Sequence, residues 1–261
     1  QTPNPAAPGR TPLNPSDNYK EHMSASLSKR EKDVLRLLQS NSHIGSRNYN
    51  RQMQRFIHNV DRAGVPVFKI EETYEKILLA ARIIAGVEDL RDVWAISSRK
   101  AGQRAVIKFA AFTGASCEPA LRWTPGSLTN YITKNFKEPR LIIVADPYSD
   151  FKAVKEASFC NVPVVALCDA MSSLKYVDVA IPCSNKSTES IAMVFWLLAR
   201  EVKALRGQLP ADGEWDVPVE LFYSKQERPL GAEEALPAEE EDEEADRAVE
   251  EDEGEFNEAN N

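Results

Sequence analysis

Apolar and polar positions repeat with two different periods along the middle of the chain, and one stretch contains a whole structural unit. Residues 141–145 form a continuous apolar run, which is typical of a strand covered on both faces. Asp150 precedes apolar positions at helical spacing over residues 151–158, so we expect it to cap a helix that ends before Pro163. A second apolar run covers residues 164–167. The pattern therefore predicts a βαβ unit with parallel strands.

The same patterns predict the remaining elements. Residues 53–60 and 65–70 flank the turn-like residues 61–64, which predicts a hairpin that projects from the body. Strands that alternate with helices indicate an α/β fold with a three-layer, largely parallel sheet of flavodoxin-like or Rossmann-like type. Further helices are expected over residues 27–39, 71–86, 103–113 and 187–206, and further strands over residues 93–97 and around Val177.

Composition divides the chain into four parts. Residues 1–26 hold five prolines and almost no aliphatic side chains, so we expect a flexible Pro-rich arm. Residues 27–206 carry the predicted α/β domain, which begins with a basic amphipathic helix. Residues 207–230 predict an extended carboxyl-terminal arm, and residues 231–261 predict a disordered acidic tail.

Charge is distributed unevenly between the tail and the rest of the chain. Residues 231–261 contain 15 acidic residues and one basic residue, a net charge of −14. The remainder contains 25 acidic and 31 basic residues, a net charge of +6, so the overall value of −8 hides a basic body. A basic body favours a polyanionic partner such as RNA.

Cysteine spacing and the length of the longest apolar run indicate in which cellular compartment the protein is expected. Cys117, Cys160, Cys168 and Cys183 lack the close CxxC spacing of a structural zinc site, so we expect them to be free, buried and reduced. The longest apolar run, residues 191–199, is far shorter than the roughly 20 residues that span a bilayer. We therefore expect a cytosolic protein without a membrane partner or a metal.

The turn after the strand at residues 93–97 reads SSRKAGQR and has a single glycine. It matches neither the GxGxxG pattern of a dinucleotide site nor a P-loop, so an enzyme site with a small-molecule substrate is not expected. Arg99, Lys100, Gln103 and Arg104 cluster at a predicted helix amino terminus, where backbone amides favour phosphate oxygens. These four residues are candidate RNA contacts, and the alternative is that they are ordinary solvated side chains.

A second candidate loop follows the first helix. His43, Arg47, Asn48 and Arg51 provide hydrogen-bond donors that suit phosphate and 2′-hydroxyl groups. The alternative for His43 is a structural role within its own turn. Asp146, at the carboxyl end of a strand, lies where doubly wound sheets often hold ligand chemistry, and the alternative is that it caps a turn. No catalytic constellation accompanies these residues, and no cofactor is predicted.

Two aromatic segments complete the candidate set. Arg122 and Trp123 precede a Thr-Pro-Gly turn, and the indole is expected either to stack on a splayed base or to cover the edge of the core. In the carboxyl-terminal arm, the large apolar side chains are expected to clamp onto the body and to form a protein-contact surface. These are Trp215, Leu221, Phe222 and Tyr223.

Two segments resemble signatures of one known family. Residues 37–45 run from apolar positions into a small-polar, His, aliphatic, Gly ending. Their pattern resembles the amino-terminal signature of the universal small-subunit ribosomal protein two family. Residues 76–116 and 175–207 are similar to its eukaryotic branch, the laminin-receptor-precursor type, and the resemblance covers residues 27–229. The residues that resemble the second signature are Asp146, Asp150, Val154, Glu156, Asn161 and Pro163.

The resemblance implies a structural role without catalysis. It implies a constituent of the cytosolic 40S ribosomal subunit that binds 18S rRNA and neighbouring ribosomal proteins, and that supports 40S assembly, pre-rRNA maturation and translation. It also implies that the loop with the Thr-Pro-Gly turn helps to seat the protein on the ribosome. Two alternatives of other classes stay open: cell-surface adhesion, although the tail lacks the repeated acidic-Trp-Ser motifs of that branch, and a nucleotide-binding enzyme with its site at residues 97–103.

Overall fold

Five parallel strands build one sheet, and two antiparallel strands form a separate hairpin. The computed structural model describes residues 28–118, 123–209 and 215–224, which belong to one compact unit. The predicted Pro-rich arm and acidic tail lie outside the described residues. In chain order the elements are α1 (Lys29–Gln39), β1 (Ile57–Val60), β2 (Pro66–Phe68), α2 (Ile70–Gly86), β3 (Val93–Ile96), α3 (Lys100–Thr113), β4 (Ser116–Cys117), β5 (Leu141–Val144), α4 (Phe151–Phe159), β6 (Val164–Cys168), β7 (Val179–Pro182) and α5 (Thr188–Leu205).

The sheet has the strand order β4-β3-β5-β6-β7, and every neighbouring pair is parallel. The strand order reverses between β3 and β5, because β4 pairs on one side of β3 and β5 pairs on the other. This arrangement confirms the predicted α/β fold with a Rossmann-like parallel sheet. In such sheets, ligands bind beyond the carboxyl ends of the strands at the reversal point.

Strand residues alternate between two cores, one on each face of the sheet. In β5, Leu141 and Ile143 enter the core that is covered by α2, α3 and α5. Ile142 and Val144 enter the opposite core, which α4 and the base of the hairpin cover. All four side chains are buried because both faces are covered, as expected for strands without a polar face. The three layers follow from this double coverage.

Helix α1 buries a charge rather than a continuous apolar stripe. Leu37 is fully buried, but Leu35 and Leu38 are 44% and 39% exposed. Asp33 is fully buried because its carboxylate pairs with both terminal nitrogens of Arg200 in α5, at 2.8 and 2.5 Å. The prediction of an amphipathic helix is therefore only partly correct, because the inner face contains a buried ion pair as well as an apolar side chain.

The predicted hairpin is present, but its first arm is shorter than expected. Residues Arg51–Phe56 form a 3-10 helix instead of a strand, and this helix buries Met53 and Phe56 in the second core together with Phe68. Gly64 has a φ of +76° in the turn, a backbone conformation that glycine adopts without strain. The base of the hairpin is therefore anchored on the sheet, and only its outer end projects.

The carboxyl-terminal arm packs against α3 and α5. Phe222 is fully buried with its ring stacked 5.7 Å from Phe112, and Trp215 lies edge-on to Phe112 at 5.2 Å. The indole nitrogen of Trp196 donates a 2.8 Å hydrogen bond to the carbonyl of Val217. These contacts show the intramolecular clamp that the sequence predicts.

Helix α5 is the most deeply buried helix that the structure describes. Residues 190–202 are buried along its whole circumference, and Gly207 ends the helix with a φ of +71°. The segment 181–198, which includes the first part of this helix, is almost entirely buried. Within the described ranges, no helix is both long enough and apolar enough to cross a bilayer.

Candidate nucleic-acid interface

The carboxyl edge of the sheet brings together the loops that carry most of the candidate RNA contacts. The turn with Arg99 follows β3, and the loops after β5, β6 and β7 reach the same edge. The loop between α1 and β1 joins them, because the Ser46 amide donates to the Asp169 carboxylate at 3.0 Å and the Asn50 amide donates to the Ala170 carbonyl at 2.8 Å. Residues far apart in sequence therefore converge on one surface.

Asp146 is the central acceptor of this edge. Its carboxylate accepts hydrogen bonds from the Tyr148 amide at 3.0 Å and the Ser149 hydroxyl at 2.7 Å, so it caps the turn after β5. It also accepts from the Asn185 side-chain amide at 3.0 Å and from Arg99 at 3.4 Å. Arg99 in turn donates to the Asn185 carbonyl at 2.9 Å. The turn-capping alternative is thus correct, and the same carboxylate also connects β3, β5 and β7.

Asp150 does not cap helix α4 with its side chain, although it occupies the capping position. Its carboxylate is buried and accepts from the Ser98 amide at 3.1 Å and from the Ser98 hydroxyl. Burial raises the pKa of Asp150, and nearby Asp146 adds to this effect, while the Ser98 hydrogen bonds and Arg99 oppose it. The predicted cap is therefore wrong, because a tertiary contact takes the carboxylate.

This raised pKa predicts how stability depends on pH. A carboxyl whose pKa is higher in the folded than in the unfolded state contributes stability below its unfolded pKa, near 3.8, and loses that contribution as the pH rises through the folded value. Relative to Asp150→Asn, the wild-type free energy of unfolding is therefore expected to increase as the pH falls through this window. Urea unfolding of both proteins between pH 3.5 and 7 measures the difference.

A matched variant tests the cause of that pH dependence. Ser98→Ala removes a hydrogen bond that opposes the shift, so it is expected to move the window to higher pH. A difference between wild type and Asp150→Asn that stays constant with pH, or that grows as the pH rises, would contradict the assignment.

Three polar residues of the loop between α1 and β1 stay exposed. Arg47, Asn48 and Arg51 are all solvent-exposed, whereas the backbone beneath them is fixed. A Cβ at Gly45 would lie 3.1 Å from Ala170 and from Pro66, so the loop lies close against the sheet and the hairpin. The arrangement presents donors on a rigid support, which suits contacts with a phosphate backbone.

His43 has a structural role in its turn. Its carbonyl accepts a 2.8 Å hydrogen bond from the Phe68 amide and so ties the turn to β2. Its Nδ1 atom is buried without a partner among the described residues. The structural alternative is favoured for His43, because its carbonyl holds the turn on β2 and its Nδ1 atom is buried.

The cluster at the start of α3 is divided between free and engaged side chains. Lys100 is exposed at the first position of the helix. Gln103 is half-buried, and the Arg104 Nε atom donates to the carbonyl of Leu221 in the carboxyl-terminal arm at 2.9 Å. Lys100 therefore faces solvent, while Arg104 holds the arm in place.

The turn itself does not form a phosphate-binding loop. A Cβ at Gly102 would lie 2.6 Å from the Ser97 hydroxyl and 3.3 Å from Ala145, so this glycine allows close packing of α3 on the sheet. The Ser98 amide is already bonded to Asp150. The Ser98 amide is therefore not available to a pyrophosphate, and the single glycine of the turn packs on the sheet, which argues against the nucleotide-binding enzyme alternative.

Trp123 lies away from this edge, in the core under α4. Its indole is 6% exposed and donates to the Glu156 carboxylate at 2.7 Å. Glu156 also accepts from the amides of Leu128 at 2.9 Å and Thr129 at 3.3 Å. The core-edge alternative is therefore favoured for Trp123, and its ring is not accessible to a base. Arg122 lies outside the described residues.

The cysteines do not form a chemical site. Cys168 and Cys183 are buried, and burial raises the pKa of both thiols. Cys117 is half-buried and Cys160 is exposed, so the expectation that all four are buried is wrong. Across the described part of the chain, no group of three or more His, Cys, Asp or Glu side chains is placed to hold a metal ion.

Comparisons with known proteins agree with the sequence signatures. Residues 37–138 and 132–204 match the family described as ribosomal protein S2. The chain is 50% identical to small ribosomal subunit protein uS2C of Schizosaccharomyces japonicus over 212 aligned residues. This alignment covers 81% of this chain and 73% of the relative. It is 48% identical over 197 residues to small ribosomal subunit protein uS2 of Diaphorina citri, and this alignment covers 76% of the chain and 65% of the relative. It is 53% identical over 192 residues to small ribosomal subunit protein uS2 of Aspergillus terreus, and this alignment covers 73% of the chain and 64% of the relative.

Proposed function

Because the chain belongs to the ribosomal protein S2 family, we propose that it is a structural constituent of the cytosolic small ribosomal subunit in eukaryotes, of the ribosomal protein SA type. The family is structural rather than enzymatic. The proposed partners are 18S rRNA and neighbouring ribosomal proteins. Through them the protein supports 40S assembly, pre-rRNA maturation and translation.

The convergence of exposed cations at the carboxyl edge of the sheet carries the proposal of rRNA binding. Arg51 and Lys100 are exposed on segments that reach this edge, Asn48 adds an uncharged donor, and the exposed Arg47 lies near Gly64 of the hairpin turn. Arg99 is 35% exposed at its side chain although it also bonds to Asp146. Cations that neutralise phosphates release counter-ions, so binding is expected to weaken steeply as salt increases.

Protein contacts are proposed for the outer face of the carboxyl-terminal arm. Leu221 is 37% exposed and Tyr223 is half-buried, so both retain surface for a neighbour. Phe222 and Trp215 are used within the domain, where they hold the arm on α3. Of the four arm residues expected to contact a neighbouring protein, only Leu221 and Tyr223 are therefore proposed to do so.

Charge reversal tests the rRNA surface. The triple variant Arg47→Glu, Arg51→Glu, Lys100→Glu replaces three exposed side chains, so it is expected to keep its thermal unfolding midpoint and to lose incorporation into small subunits. Tagged protein in a cell extract is followed on sucrose gradients at low and high salt. Wild type is expected to sediment with small subunits and polysomes, and the variant at the top.

Exposed cations elsewhere supply the matched control. Arg82→Glu, Arg91→Glu, Lys155→Glu has the same charge change on other surfaces and is expected to incorporate normally. Incorporation of the first variant at the wild-type level would remove the carboxyl edge from the proposal. Wild-type protein found only at the top of the gradient would contradict the ribosomal role itself.

A further inference from the structure

A cleft of about 230 Å³ opens at the carboxyl edge of the sheet, beyond β5, β6 and β7. Its inner wall contains Asp146, Asp169 and Asn185, which are all at least 95% buried. Its mouth is formed by side chains that face solvent, among them Tyr148, which is 66% exposed, and Met171, which is 38% exposed. The cleft is smaller than the roughly 300–1,000 Å³ of typical small-molecule pockets, so a group the size of a single base fits better than a whole cofactor.

We propose that this cleft binds one unstacked nucleotide of a single-stranded RNA segment, with the base inside and the phosphates at the mouth. The inference rests on the proposed function, because that function supplies the RNA. The RNA would then contact this surface through a base as well as through the phosphates that the cations bind. Recognition of splayed bases by aromatic side chains is a common mode for RNA.

Electrostatics decide which part of the nucleotide enters. Two buried carboxylates, Asp146 and Asp169, line the interior, and each already accepts hydrogen bonds from neighbouring groups. A phosphate next to them would be repelled and would lose its hydration, so it stays outside. Two cationic side chains also line the cleft: Lys186 is exposed, and Arg99 is 35% exposed although it pairs with Asp146. They are placed to hold the phosphates on either side of the inserted base.

The inner wall supplies polar groups that suit the edge of a base. The side-chain amide of Asn185 donates one N–H to Asp146 at 3.0 Å, and its second N–H and its side-chain oxygen Oδ1 have no other partner among the described residues, whereas the backbone carbonyl accepts from Arg99. An amide that offers one donor and one acceptor is suited to pair with the edge of a base. The hydrogen bond to Asp146 fixes this amide in advance, so little ordering is needed when the base binds.

Stacking completes the site. Tyr148 carries the most exposed aromatic ring at the mouth, held close to Asp146 by its own backbone amide at 3.0 Å. Met171, on the loop after β6, offers an adaptable thioether. The two lie on different loops, so a base is placed between an aromatic face and a flexible apolar side chain. Stacking of this kind tolerates any base, so the stacking contacts add affinity without sequence preference.

The first test uses intact small subunits that contain the full chain. Ultraviolet cross-linking without added reagent, followed by peptide mass spectrometry, is expected to give a nucleotide adduct on Tyr148 or Met171. Subunits that contain the protein but give no adduct on either residue would overturn the nucleotide site and leave the ribosomal role intact. Absence of the protein from subunits would overturn both.

The second test measures the site in the free full-length protein. Binding of a labelled mixed-sequence 12-nucleotide RNA is expected to weaken about ten-fold for Tyr148→Ala and to stay unchanged for Tyr131→Ala, which removes a ring that is 78% exposed on another loop. Equal binding by Tyr148→Ala and wild type would overturn the proposal. ATP or GTP that bound as tightly as the RNA would also overturn it, because the ligand would then be a soluble nucleotide.

Discussion

Replacing Asp33 by alanine is expected to lower the free energy of unfolding by about 3 kcal/mol, because removing one partner of a buried ion pair leaves a charge unpaired in the interior. Asp33 is fully buried, and Arg200 is 5% exposed. Burial by itself lowers the pKa of Arg200, but the hydrogen bonds and charge of Asp33 reverse this and keep the guanidinium charged. Glu201 remains 2.7 Å away in the variant, so the loss is expected at the lower end of the range for such pairs.

Two further variants serve as controls for the Asp33→Ala experiment. Glu75→Ala breaks an exposed pair, in which Glu75 and Arg30 are 3.8 Å apart, and is expected to cost less than about 0.5 kcal/mol. The double variant Asp33→Leu, Arg200→Met removes both charges and is expected to regain most of the lost stability. Urea unfolding followed by circular dichroism gives all three values. A loss for Asp33→Ala no larger than that for Glu75→Ala would show that the buried pair is not important for stability.

Replacing Phe222 by alanine is expected to cost about 3–5 kcal/mol and to release the carboxyl-terminal arm. Phe222 is fully buried and contacts Phe112 and Trp215 at ring distances of 5.7 and 6.2 Å. Removing the ring leaves a cavity under an arm that has few other buried side chains. The indole of Trp215 then becomes hydrated, so the tryptophan emission is expected to shift to longer wavelength before global unfolding.

Leu221 provides the control for the arm. It neighbours Phe222 but is 37% exposed, so Leu221→Ala is expected to cost less than about 1 kcal/mol and to leave the emission unchanged. A similar loss of stability for both variants would mean that the arm is held mainly by its backbone, through the bonds from Arg104 and Trp196. In that case Phe222 would not be the main anchor.

The parts of the fold that sequence alone predicted best are those with long apolar runs. The predicted strand at residues 141–145 is Leu141–Val144 in the structure, and the strand at 164–167 is Val164–Cys168. The last helix, predicted over residues 187–206, spans Thr188–Leu205. Strands buried on both faces and a long, mostly apolar helix leave little ambiguity, because few polar side chains compete for the interior.

Prediction failed where a polar side chain has a partner far away in sequence. Asp150 has the sequence position of a helix cap, but Ser98, 52 residues earlier, holds its carboxylate. Asp33 lies on the inner face of α1 only because Arg200, 167 residues later, pairs with it. Neither contact has a local signal. Both require the sheet order to be known first.

The candidate site was predicted in part, and Glu156 was missed as a connecting residue. The cations Arg99 and Lys100 do lie at the expected edge, but the same cluster also included Arg104, which holds the arm. Glu156 lies between the buried residues Ala153 and Ala157 of α4. A carboxylate placed within an apolar helical face signals a buried acceptor, and this signal could have indicated the partner that Trp123 uses.

The carboxyl-terminal arm also affects how the protein is made. Residues 215–223 are the last described part to leave the ribosome during synthesis, yet they cover aromatic side chains on α3 and α5. Until they emerge, Phe112 and Trp196 lack their partners in the arm, and the nascent chain exposes an aggregation-prone apolar surface. Its final folding step therefore has to wait until these residues have been translated, and a chaperone that covered the apolar surface until then would prevent aggregation.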